Sequence, residues 1–158
     1  MLLDFCPMSL TDVLERTYPT HIKEDAVLKM FYQITCAVAF LHAMTPALCH
    51  RDLKVENILF KDKKFLLTDY GSVVPEAQFW FRKKGDTALI DENIQKYTTM
   101  AYRAPEMISL YDYIPIGRPA DIWALGCLMY KICYFTTPFE ESPMKIQFAK
   151  YSIEDRHY

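Results

Sequence analysis

The run His50-Arg51-Asp52-Leu53-Lys54-Val55-Glu56-Asn57 gathers the side chains of this sequence best suited to chemistry. Twelve residues after Asn57 stands Asp69-Tyr70-Gly71, and Ala104-Pro105-Glu106 follows further on. Each tripeptide alone is a weak signal, and a solvated structural loop explains an isolated His-Arg-Asp. In this order, with an apolar hairpin between the first two, the set suits transfer of a phosphoryl group to a hydroxyl. That reaction needs in-line placement of donor and acceptor, and cations to hold the spreading negative charge. Asp52 is placed to orient the acceptor hydroxyl and take its proton. Lys54, two residues on in an extended loop, points the same way and meets the γ-phosphate as a mobile charge. Asn57 and Asp69 offer oxygen ligands from the two sides of the hairpin, which suits Mg2+ held jointly with the phosphates of ATP. Gly71 lets the backbone turn sharply after Asp69.

The elements that must hold these groups surround them. From Glu24 to Met44 the residues Val27, Phe31, Ile34, Val38 and Leu41 recur every three or four positions, which predicts a long amphipathic helix. Leu10 to Arg16 predicts a shorter one with Ser9 as its N-cap. Ile58 to Phe60 and Phe65 to Leu67, parted by Lys61-Asp62-Lys63-Lys64, read as a hairpin with a charged turn. Residues 71 to 103 show no sustained period and are expected to form a long loop of functional kind. Ala120 to Phe135, opened by Arg118-Pro119, is hydrophobic nearly all round and predicts a helix inside the core. Ser142-Pro143 opens a last helix by N-cap and first-turn proline.

With 158 residues, 51% hydrophobic and 24% charged, the chain has the composition of a folded domain rather than a disordered one. A formal net charge of -2 leaves no electrostatic footprint for nucleic acid or an anionic membrane. The five cysteines are odd in number and form no C-x-x-C pair. Cys36, Cys127 and Cys133 fall in apolar helical stretches, so buried free thiols in a reducing compartment are expected. Met1-Leu2-Leu3-Asp4 has no basic region of a secretory signal, and Ile122 to Tyr130 is too short to cross a bilayer. A cytosolic or nuclear protein is expected, and cytoplasmic is the reading carried forward. His21 and His42 are expected at surfaces or helix ends, having no carboxylate or second ligand spaced to make a site. Arg82-Lys83-Lys84 reads as a solvated charge run.

The three motifs in this order match the signature set of protein kinases, and Lys54 marks the serine/threonine rather than the tyrosine class. The chain resembles the Numb-associated kinase family, which includes the adaptor-associated, cyclin-G-associated and yeast actin-regulating kinases. The likeness runs from Leu2-Leu3-Asp4-Phe5-Cys6 to Tyr151-Ser152-Ile153. It is most specific over His50 to Leu59 (HRDLKVENIL), Lys96 to Met107 (KYTTMAYRAPEM) and Ala120 to Tyr134 (ADIWALGCLMYKICY). It implies a protein kinase-like α+β fold: a mainly helical C-lobe with a small β-hairpin, the N-lobe absent. Residues 1–8 would form the hinge and 9–158 an incomplete C-lobe. Backbone groups of Asp4 and Cys6 would pair with adenine, Leu3 would occupy the gatekeeper place and Leu59 the apolar floor. Thr99 would hydrogen-bond Asp52 and Lys54, and Asp121 would tie the core helix to the His50-Arg51 backbone. Thr87, Tyr97 and Thr98 lie where kinases take regulatory phosphate, with Arg51 as its partner. Family substrates are serines and threonines, notably in the medium chains of clathrin adaptors, which implies endocytic partners.

The sequence also departs from the pattern. Tyr70 replaces the usual Phe, and its hydroxyl needs a partner if buried. The four glycines are scattered, so there is no G-x-G-x-x-G, and no V-A-x-K strand precedes the hinge. The arginine that would pair with Glu106 is not expected within these residues, and an unpaired, partly buried carboxylate is costly. Alone, the chain is expected to be marginally stable, to bind ATP weakly and to transfer little phosphate. Two functions stay open: the catalytic lobe of a serine/threonine kinase, and a non-catalytic kinase-like module that docks adaptor proteins.

Overall fold

The computed structural model describes residues 5–76 and 86–153. A short strand β1 (Met8–Ser9) leads into helix α1 (Leu10–Thr17). Ser9 caps that helix: its hydroxyl accepts the Asp12 N–H at 3.2 Å, while the Asp12 carboxylate accepts the Ser9 N–H at 2.6 Å. The two otherwise orphaned donors satisfy each other's side chains. Helix α2 (Glu24–His42) follows, with Val27, Met30, Ile34, Val38 and Leu41 buried along one face.

After α2 come strand β2 (Leu48–Cys49), the loop that carries His50 to Lys54 and a hairpin of β3 (Ile58–Lys61) and β4 (Lys64–Leu67). The hairpin register pairs Ile58 with Leu67 and Lys61 with Lys64. Asp62 and Lys63 both take positive φ, 51° and 63°, the handedness a two-residue hairpin turn requires. The hairpin is extended to three strands in the order β1-β3-β4, and β5 (Val74–Pro75) pairs antiparallel with β2. Helices α3 (Thr87–Tyr97), α4 (Pro105–Ile108), α5 (Arg118–Tyr134) and α6 (Pro143–Gln147) complete the described fold.

The core lies where α2 packs on β4 and α5, and it takes in Leu10, Leu53, Val55, Ile58, Leu128 and Ile132. Leu53 and Val55 are both fully buried. In an extended segment alternate residues face opposite ways. Burying 53 and 55 therefore turns Asp52 and Lys54 away from that core, toward one common side. A second cluster of Ile94, Ala104, Met107, Leu110, Ile116 and Ala120 clamps α3 against α4 and the start of α5. Gln33 on α2 adds a polar tie, its side-chain oxygen accepting the Phe65 N–H of β4 at 2.8 Å.

Three expectations are corrected. Residues 71–103 are not one loop, because α3 occupies eleven of them. Its only inward face is Ile90 and Ile94, too short a period to read from sequence, and the second cluster supplies the stability that propensity does not. Cys36 is exposed rather than buried, because it falls on the outer face of α2. Helix α5 is not enclosed all round, since Ile122 and Gly126 are exposed. Among the described residues no helix is long and apolar enough to cross a membrane.

Candidate active site

Asp121, in the first turn of α5, is completely buried and anchors the loop from beneath. One carboxylate oxygen accepts the Arg51 N–H at 2.7 Å, and the other accepts the His50 N–H at 2.8 Å. A third bond comes from His42 Nε2, also at 2.8 Å. His42 thus has the carboxylate partner that the sequence reading did not find. The pair is 79 positions apart, and only the packing of α2 on α5 brings it together.

His50 is wholly buried, and burial holds its imidazole below the ordinary value. Its Nε2 faces the Thr68 carbonyl at 3.0 Å and must be the donor, since a carbonyl only accepts. The His50 carbonyl in turn accepts the Ser72 hydroxyl at 2.6 Å. Arg51 takes φ 70° and Asp69 φ 60°, left-handed positions that cost a non-glycine residue about 1 kcal/mol each. The Arg51 guanidinium donates from Nε to the Ser72 carbonyl and from Nη1 to Asn93 Oδ1, both at 2.6 Å. It also lies 5.7 Å from the Tyr97 ring centre. One side chain therefore joins the loop, the turn after Asp69 and α3.

Asp52, Lys54 and Thr99 form a closed triangle. The Thr99 hydroxyl donates to Asp52 Oδ1 at 2.7 Å and accepts from Lys54 Nζ at 2.9 Å, while Lys54 Nζ meets Asp52 Oδ2 at 2.8 Å. Asn57 Nδ2 donates to the Asp52 carbonyl at 2.8 Å and, more weakly, to its carboxylate at 3.2 Å. Asp52, Lys54, Thr99 and Asp69 all line one cleft of about 310 Å³, with Lys96, Tyr97 and Thr98 on the same wall. Asn57 does not line it; it is buried and bonded to Asp52.

Asp69 accepts the Gly71 N–H at 3.4 Å, a long bond that leaves its carboxylate available to the cleft. Among the described residues no three His, Cys, Asp or Glu side chains gather as a metal site. Of the two oxygen donors expected for a cation, Asp69 lines the cleft and Asn57 does not; a carboxylate is the kind of hard ligand that a cation shared with phosphates and water takes.

Of the residues expected to meet adenine, Leu59 lies half-buried in β3 opposite Ser9, and Cys6 is half-buried near the chain start. Asp4 and Leu3 lie outside the described residues, as do Arg82, Lys83 and Lys84. The Tyr70 hydroxyl finds its partner in the Leu67 carbonyl at 3.1 Å. Glu106 has its carboxyl pushed up by burial and meets no cation among the described residues. The Thr98 hydroxyl donates to the Ile94 carbonyl at 2.6 Å and accepts from Arg103 Nε at 2.8 Å. Buried Arg103, with Ser72 and Asn93, was missed in the sequence. Their partners are set by folding rather than by spacing, although Arg103 does lie inside the KYTTMAYRAPEM stretch.

A family model of the protein kinase domain matches residues 1–156. The chain belongs to the protein kinase domain family. It is 40% identical over 136 residues to the serine/threonine-protein kinase sel-5 of Caenorhabditis elegans, covering 84% of this chain and 12% of that relative. The serine/threonine-protein kinase AKL1 of Saccharomyces cerevisiae is 40% identical over 157 residues, covering 94% of this chain and 13% of the relative. The protein kinase domain-containing protein ppk38 of Schizosaccharomyces pombe is 40% identical over 145 residues, 89% of this chain and 22% of its own length. The chain thus spans under a quarter of each of these relatives. The helix-rich architecture with its small antiparallel sheet accords with that family.

Proposed function

We propose that this kinase-family chain provides the catalytic C-lobe of a serine/threonine protein kinase of the Numb-associated family, passing the γ-phosphate of ATP to protein hydroxyls. The observation that carries the reading is the closed Asp52–Lys54–Thr99 triangle on the cleft that Asp69 also lines. A serine or threonine hydroxyl entering beside Asp52 donates its hydrogen bond to that carboxylate. As its oxygen bonds to the γ-phosphorus, the bond from phosphorus to the bridging oxygen of ADP breaks and the proton passes to Asp52. Lys54 is free to turn from Asp52 toward the phosphate as charge builds there, and Thr99 keeps both groups in register. ATP would supply the phosphoryl group and Mg2+ the charge neutralisation, and Asp69 with the side-chain oxygen of Asn57 would hold the ion. Residues 1–8 act as hinge, with Asp4 and Cys6 against adenine and Leu59 beneath it; residues 9–158 belong to the C-lobe. Medium chains of clathrin adaptors at endocytic sites are the substrate class, and the cytoplasm is the location.

The test is phosphate transfer to a threonine peptide from an adaptor medium chain. It uses the 158-residue chain and a longer polypeptide that supplies a glycine-rich loop and strand lysine. The longer form is expected to transfer phosphate, and the short one little or none. Asp52→Asn should lower the longer form's rate by about 10²–10⁴ while sparing nucleotide binding. Asp69→Asn should remove the Mg2+ dependence of that binding. A rate untouched by Asp52→Asn would remove the basis of the reading. Tight adaptor binding without transfer by the longer form would favour the docking module instead.

A further inference from the structure

Among the described residues, the charged side chains lining the cleft of the Asp52–Lys54–Thr99 triangle are Asp52, Lys54, Asp69 and Lys96. The first two hold each other at 2.8 Å, and Asp69 is the carboxylate left to a cation. Lys96, in the last turn of α3, has no such engagement. It is exposed, and its ammonium lies 5.0 Å from the ring centre of Tyr97, which lines the same cleft. Among the described residues no carboxylate forms an ion pair with it; Glu92, one turn back on the helix where such a pair would form, does not reach it. A lysine near a helix C-terminus commonly does no more than answer the dipole. That accounts for a cation at the end of α3, but not for its place on the wall that faces the acceptor site.

We infer that Lys96 determines substrate specificity, favouring acceptor peptides that carry an anionic side chain, carboxylate or phosphate, one or two positions from the serine or threonine. The inference rests on the phosphoryl transfer proposed above and names the sequence that the same cleft selects. Size sets the reach. A cleft of about 310 Å³ holds only a short stretch of peptide, so an acceptor hydroxyl at Asp52 leaves its neighbours against the same walls. Extended peptide rises roughly 3.3 Å per residue, which keeps those neighbours within about 7 Å of the acceptor. The flexible four-carbon stem of a lysine lets its ammonium follow them. Charge sets the sign. With Lys54 offset by Asp52, and Asp69 given to a cation, Lys96 is the charge that this wall shows to a peptide. It attracts an acid and repels an arginine or lysine. The wall hydroxyls of Ser72, Thr98 and Thr99 already donate to the His50 carbonyl, the Ile94 carbonyl and Asp52, so none of them competes for the incoming anion.

The size of the effect follows from the exposure of Lys96. An exposed ion pair shifts an equilibrium by up to ~5-fold, so one carboxylate should raise kcat/KM by that order. Phosphoserine, with nearly two charges, should do more. The lysine meets the peptide before the reaction as well as during it, so the gain belongs to KM and not to kcat. It should also shrink in high salt, because the screening length falls to about 3 Å at 1 M.

The experiment uses the longer polypeptide with its glycine-rich loop and strand lysine. Its substrates are threonine peptides identical except for phosphoserine, Asp, Ala or Lys at each of the two positions on either side of the acceptor. At one or more of these positions kcat/KM should fall in that order, through the peptide KM. Lys96→Met keeps the length of the side chain and should flatten the ranking, and Lys96→Glu should reverse it. Lys96 is exposed, so both variants should keep the circular dichroism of the parent. A ranking that survives Lys96→Glu overturns the inference, and so does equal use of all four peptides. A Lys96→Met form that changes the KM for ATP instead of the ranking assigns the lysine to the nucleotide and overturns it as well. Transfer to the Ala peptide, lost with Asp52→Asn, upholds the phosphoryl-transfer reading whichever way the ranking falls. If no peptide takes phosphate, that reading fails by itself. Fluorescence anisotropy of the same peptides on the 158-residue chain then decides the preference: tighter binding of the Asp than the Ala peptide, reversed by Lys96→Glu, supports it, and equal binding overturns it.

Discussion

Asp121 accepts three hydrogen bonds in a place from which water is excluded, and two of them come from the backbone of the loop that carries Asp52. Removing the carboxylate strands buried donors, so Asp121→Ala should cost about 3–5 kcal/mol, the usual toll of breaking a buried charged network. His42→Phe keeps the bulk and removes one bond to a charged group, for about 1.5–3 kcal/mol. Thermal melts and amide exchange at His50 and Arg51 check both. If His42→Phe left the exchange of those two amides as slow as before, His42 would be a helix-end residue with no part in holding the loop.

At the scale of elements, α3 depends on what it touches. Eleven residues with two inward apolar side chains are short of a stable helix in water, so α3 exists through the cluster around Ile94 and through Arg51 and Arg103, which bind it from two sides. The dependence runs both ways, because Asn93 helps to hold the guanidinium of the residue beside Asp52. Asn93→Ala should therefore loosen the loop as well as the helix. The expected outcome is a loss of about 1–3 kcal/mol and faster amide exchange over residues 87–97 and 50–52 together. Loosening confined to α3 would show that Arg51 is held well enough by Ser72 alone.

For the whole molecule, two burial effects of opposite sign shape stability against pH. Burial lowers the folded His50 value below its ordinary 6.5, so below that pH the unfolded chain binds the extra proton and stability falls. Burial raises the folded Glu106 value above its ordinary 4.5, so the folded chain binds the extra proton between the two values. Stability is then lost as pH rises through that window, and the loss persists at neutral pH. Glu106→Gln should raise the melting temperature at pH 7 by about 2–4 °C, the response of a domain of this size to ~1 kcal/mol. The gain should vanish as pH falls through 4.5. Urea midpoints of both forms across pH 4 to 8 measure this; a Glu106→Gln form no more stable than the parent at neutral pH would mean the carboxylate is satisfied.

The motif stretches around Asp52 and Asp69, the N-cap at Ser9, the hairpin and the two long helices were legible because each is written in local spacing. A cap, a tight charged turn and a period of 3.6 are decided within a few positions by backbone sterics and nearby hydrogen bonds, although the turn is two residues rather than the four expected. The resemblance, not the spacing, pointed to Thr99 and to Asp121 beneath the loop. Folding alone decided the rest. It brought His42 to Asp121, gave α3 a reason to be helical, and turned Cys36, Tyr32 and Phe40 outward on a helix whose other face makes the core. Those outcomes depend on which surfaces meet across many tens of residues. A single chain of residue types fixes its local angles, but only the packed structure fixes what each buried charge and each exposed ring faces.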